Sequence, residues 1–135
     1  MEEFETIPRQ QWRPLCDEFS RGHRGWLVCI WVVDTGNLES GLDEDADNTI
    51  RDLELGEITL ESHGDRMDMV IIARDRKVHA DHFVRGIESI HLEHDADGIE
   101  IGLRVDDEDQ QTTLMRFRAP ASPESLDGMA AGEFP

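Results

Sequence analysis

The densest run of metal-capable side chains lies between Asp43 and Glu54, DEDADNTIRDLE. Counted as a twelve-residue loop it places acids at positions 1, 3, 5 and 12 and Ile50 at position 8, the order of an EF-hand-like calcium loop. Calcium takes six to eight hard oxygens from a chain bent tightly around it, so Asp43, Asp45, Asp47, Thr49 and Glu54 are the candidate ligands. Asn48 stands where that loop has glycine, and asparagine tolerates the left-handed conformation better than most residues. The flanks differ from the motif: Gly36 to Leu42 is no amphipathic helix, and Gly56 to Ser62 reads as strand. In a chain with 31 Asp and Glu, a solvated acidic loop is the simpler account and is preferred.

Histidines form the second candidate set. If Arg85-Gly86 is a two-residue hairpin turn, Val84 faces Ile87, which sets His82 diagonal to His91 on one face and His79 diagonal to His94 on the other. Glu93 would complete a three-ligand set with His82 and His91, and Asp81 would join the other pair, as zinc or iron sites require. Diagonal side chains sit at the limit of shared coordination, and exposed or hydrogen-bonded strand histidines are the preferred reading.

Covalent chemistry has little support. Cys16 and Cys29 fall on apolar faces without an electropositive setting, no serine occupies a Gly-x-Ser-x-Gly elbow, and no phosphate-cradling glycine loop occurs. No catalytic residue is assigned, and no cofactor beyond the calcium alternative. Trp12, Trp26 and Trp31 would suit a ligand cavity under a helix, but helix-on-sheet packing is the simpler account and is preferred.

The elements that would position these groups follow from periodicity. Trp12, Leu15, Cys16 and Phe19 form one helical stripe, which predicts a helix from Pro8 to Ser20, with Pro14 demanding a kink or a late start. Trp26 to Val33 is apolar throughout and rich in β-branched and aromatic residues, a central strand covered on both faces. Beyond the acidic loop the period becomes two. Strands are predicted around Ile58 to Leu60, then at Met67 to Arg74, Val78 to Val84, Ile87 to His94, Ile99 to Asp106 and Gln111 to Arg118, joined by short turns that require antiparallel neighbours. The expected fold is α+β: an N-terminal helix packed on a strongly bent, mainly antiparallel sheet or partly open barrel of six to seven strands in a meander. Residues 1–119 read as one domain and 120–135, rich in Pro, Gly and Ala, as a flexible tail.

With 13 Lys and Arg against those acids the formal charge is -18, and Lys77 is the only lysine. Nucleic acid and anionic membrane are therefore excluded as expected partners, since both demand a basic surface. No run approaches the ~20 apolar residues of a bilayer span, and the acidic opening Met1 to Glu5 is no secretory leader, so a cytoplasmic location is expected. So many acids suit a salt-rich cytoplasm, where the Debye length falls to about 3 Å near 1 M salt and self-repulsion is screened.

The segments IPRQQW (7–12), DEFSRGHRGWLV (17–28) and TTLMRFR (112–118) resemble an uncharacterised bacterial family, a domain of unknown function. Cys16 and Pro14 depart from that family's pattern. The resemblance implies a small domain and transfers no activity, cofactor or site residue. The function expected is a non-enzymatic interaction or structural domain of a high-salt cytoplasm whose partner is protein, in particular a homo-oligomer, because short strands leave edges that dimerisation covers. Calcium binding through the acidic loop and a histidine-supported metal enzyme are the alternatives.

Overall fold

A computed structural model describes residues 3–36 and 48–118. Strand β1 (Glu3–Ile7) leads through a 3-10 turn (Arg9–Gln11) into helix α1 (Trp12–His23). Seven strands follow: β2 (Leu27–Asp34), β3 (Asn48–His63), β4 (Arg66–Arg74), β5 (His79–Val84), β6 (Ile87–His94), β7 (Glu100–Asp107) and β8 (Gln111–Phe117). No helix among the described residues is long and apolar enough to cross a membrane.

Pro14 delays the helix instead of kinking it. With Gln11 as the cap, Pro14 is the third helical residue, within the first turn where backbone N–H groups have no intrahelical partner. Trp12, Cys16, Phe19 and Ser20 form the buried stripe. The ring of Phe19 stacks on Phe117 at 5.5 Å, and the Ser20 hydroxyl accepts the Ile58 N–H at 2.9 Å beside a bulge in β3. Gly25, at φ 89°, turns the chain back after the helix, and its N–H donates to the Leu55 carbonyl at 2.8 Å.

All eight strands join one antiparallel sheet in the order β1-β6-β7-β8-β2-β3-β4-β5. As its unbroken apolar run requires, β2 is central, paired to β3 and β8. Val28 and Ile30 join the helix in the main core, while Cys29 and Trp31 pack with Leu114 on the other face.

Two features of the expected architecture are corrected. Among the described residues the sheet has eight strands, one of them before the helix, and it is neither closed nor strongly curled, so the partly open barrel is not formed. Its edges, β1 and β5, share no ladder, and each places charged side chains outward, Glu5 on β1 and His79 and Asp81 on β5. The second correction concerns Arg85-Gly86, which is no hairpin turn. β5 pairs with β4, whereas β6 pairs with β7 and β1, so two meanders, β2 to β5 and β6 to β8, are joined where β2 meets β8. The link is fixed from both sides: the Gly86 N–H donates to the Asp68 carboxylate at 2.8 Å, and its carbonyl accepts the Glu108 N–H at 2.8 Å. Gly86 has φ 70°, a conformation that a side chain would strain.

Candidate functional site

The face of the sheet turned away from α1 carries a connected cluster of polar side chains. Cross-strand registry builds it in three rows: Phe4-Glu93-Gly102-Arg116-Cys29, then Thr6-His91-Arg104-Leu114-Trp31, then Ser89-Asp106-Thr112-Val33. Directly opposed residues share a face, so side chains from five strands meet although they are far apart in sequence.

In the first row Glu93 is fully buried and receives a bidentate contact from Arg116, Nε to Oε1 at 3.0 Å and Nη2 to Oε2 at 2.8 Å. The pair spans the intervening strand over Gly102, where a Cβ would overlap the backbone carbonyl oxygen of Met115. Glycine at 102 thus permits the close approach of β7 to β8 beneath the ion pair.

The second and third rows form a chain of hydroxyls ending on one carboxylate. Thr6 Oγ1 lies 3.0 Å from His91 Nδ1, and His91 Nε2 lies 3.2 Å from Ser89 Oγ. The Ser89 hydroxyl donates to Asp106 Oδ2 at 3.0 Å, while Thr112 Oγ1 at 2.6 Å and Arg104 Nε at 3.0 Å donate to Oδ1. One proton arrangement satisfies every group: Thr6 donates to Nδ1, a neutral His91 donates from Nε2 to Ser89, and Ser89 donates to Asp106. Burial holds the His91 imidazole below its ordinary value, against the opposing pull of Asp106, in accord with the neutral ring. Burial pushes Asp106 up, but hydrogen bonds from Arg104, Thr112 and Ser89 outweigh it and keep the carboxyl below the usual range. The network ties β1, β6, β7 and β8 together across this face. Beside it, Phe4 meets the His91 ring edge-on at 6.4 Å and lies 5.4 Å below the Arg104 guanidinium.

The predicted histidine site is not assembled. Because β5 and β6 do not pair, His82 is separated from His91, and Glu93 is bound by Arg116. His82 instead points toward the core side, with Nε2 3.2 Å from Thr113 Oγ1, and burial lowers its affinity for a proton. His79 and His94 are likewise apart: His79 meets Asp81 at 2.9 Å and His94 meets Glu5 at 4.0 Å. Among the described residues no group of three or more His, Cys, Asp or Glu is placed to hold a metal ion. Of the acidic-loop ligands, Asp43, Asp45 and Asp47 lie outside the described residues. Thr49 and Glu54 stand on extended β3, where Glu54 is opposed by Leu27 and Arg74. Asp52, in that same segment, takes φ 58° at an irregularity of β3, and its carboxylate accepts from Arg118 and from the Cys29 thiol.

Both cysteines are buried thiols outside any disulfide, and burial pushes Cys16 up to about 12, far from a nucleophile's range. The tryptophans do not share a cavity: Trp12 donates its indole N–H to the Ile7 carbonyl at 3.0 Å, Trp26 packs edge-on against Phe117, and Trp31 lies on the opposite face.

The other feature of functional character is the free edge. On β5 the exposed outer side chains are His79, Asp81 and Phe83, the last 63% exposed, and Val78 just before the strand is 47% exposed.

A family model described as Family of unknown function (DUF5335) matches residues 3–126. The chain belongs to this family. The matched range takes in α1, all eight strands and the whole hydroxyl network, so the DUF5335 region and the described fold coincide. No curated protein and no solved structure matches the chain.

Sequence reasoning missed Thr6, Ser89, Arg104, Asp106, Thr112 and Arg116 as a group. Their signal is the alternate spacing 89/91/93 and 104/106 on strand faces, which says that they share a side and not which strands meet.

Proposed function

We propose that this domain is a non-enzymatic protein-interaction module of a salt-rich cytoplasm, self-associating through an open sheet edge. The observation that carries this reading is the outermost strand β5, which displays Phe83 at 63% exposure, with Val78 at 47% just ahead of the strand. Isolated exposed apolar residues are ordinary, but a large one on an outermost strand that pairs on one side alone among the described residues marks a surface where main-chain hydrogen bonding and apolar burial act together. A hydroxyl network that crosses four strands and ends on Asp106 supports a structural role for the polar face. The charge of -18 supports a medium in which copies of so acidic a chain can approach one another. Light scattering in about 2 M KCl tests the reading: a mass above that of one chain, growing with concentration, is expected, and a strict monomer at every concentration contradicts it.

A further inference from the structure

We infer that the partner of the β5 edge is the β5 edge of a second copy, paired antiparallel about a two-fold axis at Ala80; this rests on the self-association proposed above. β5 is hydrogen-bonded to β4 on one side and, among the described residues, to no strand on the other. A two-fold axis perpendicular to the sheet keeps core faces aligned with core faces, so a residue can oppose only one of its own face in the partner copy. Axes at Ala80, Asp81, His82 and Phe83 satisfy this, and the last is barred because it carries the ladder into the corner that Asp68 and Glu108 fix at Gly86.

Charge selects among them. An axis at Asp81 sets that carboxylate against itself, and one at His82 sets His79 opposite Arg85. The axis at Ala80 sets His79 opposite Asp81 twice, so that the single His79-Asp81 contact already made within each strand at 2.9 Å joins its copy in one alternating cluster of four side chains. The same register sets Val78, just ahead of the strand, opposite His82, and brings the β4–β5 turn that holds Lys77, the chain's only lysine, toward the end of the strand at the exposed Phe83. The other edge is unsuited to self-pairing: β1, EFETI, carries acids and no base, so a like copy meets it with like charge. The ladder is short, and two chains of charge -18 repel in dilute buffer, so the dimer is weak and forms with salt.

The test uses the full chain in about 2 M KCl with oxidised glutathione. Directly opposed residues of an antiparallel ladder stand about 4.5–5.5 Å apart at Cα, inside the range of a disulfide, so Ala80→Cys should link copies covalently while Glu5→Cys on β1 should not. The wild-type thiols, both buried, supply the background. Independently of whether the cysteine variant folds, His79→Asp should weaken association by about tenfold in light scattering, and adding Asp81→His should restore it. A monomer throughout overturns this register together with self-association. A dimer that gives no Ala80→Cys link and is indifferent to His79→Asp overturns the register alone and leaves self-association through another surface.

Discussion

At the scale of single residues, the most consequential pair is Glu93 and Arg116. Glu93 has no exposed surface, so its charge is tolerable only with a partner of matching geometry, and the bidentate contact supplies that. Replacing Arg116 with Met takes the bidentate partner from a fully buried carboxylate and should cost about 3–5 kcal/mol. The double variant Glu93→Leu, Arg116→Met removes both charges and should recover most of that loss. Urea midpoints of the three proteins check this, and equal stability of the single variant and wild type would contradict it. His82 and His91 give a second expectation. Burial holds both imidazoles below the ordinary value, so as pH falls below about 6.5 the unfolded chain takes up protons before the native one does. The stability gained from neutral rings is complete above that value and drains away as pH falls from there. Asp68 and Asp106 stay ionised in that window because their carboxyls are held low. At fixed molar salt the urea midpoint should fall between pH 7.5 and 5.5, and His82→Gln should flatten the fall.

At the scale of elements, the corner at Gly86 decides how the two meanders meet. The Asp68 carboxylate is held low first by the Gly86 N–H and then by Arg66, and it anchors a link that would otherwise close as a hairpin. Asp68→Ala should cost about 1–2 kcal/mol, the penalty of an unmet hydrogen bond to a charged group, read as a lower melting temperature. Strand positions were legible because alternation in segments such as Ile99 to Val105 records one buried face. The late start of α1 was legible from Pro14 for the same local reason. Pairing was not. Arg85-Gly86 is a good turn by composition, and only the contacts of Gly86 with Asp68 and Glu108, distant in sequence, redirect it. That single redirection separated His82 from His91 and removed the predicted ligand set. β1 was missed because five residues with two apolar ones, Phe4 and Ile7, carry no clean alternation and find their place only against β6.

At the scale of the whole molecule, charge dominates. Thirty-one acids against 13 bases disfavour any compact state in dilute buffer, and screening removes that penalty without touching the buried Glu93-Arg116 pair. The melting temperature should therefore rise from low to molar KCl; a flat profile would remove the salt-adapted part of the proposal. The same screening lets acidic copies approach, which links stability and association in one variable.

Amide hydrogen exchange along the two sheet edges, followed against protein concentration in about 2 M KCl, tests most directly whether this fold works by lending its β5 edge to a partner copy. Outward-facing amides between Val78 and His82 should become protected as concentration rises while those of β1 exchange at a constant rate. Protection that ignores concentration on β5, or that appears on β1 instead, would contradict the account.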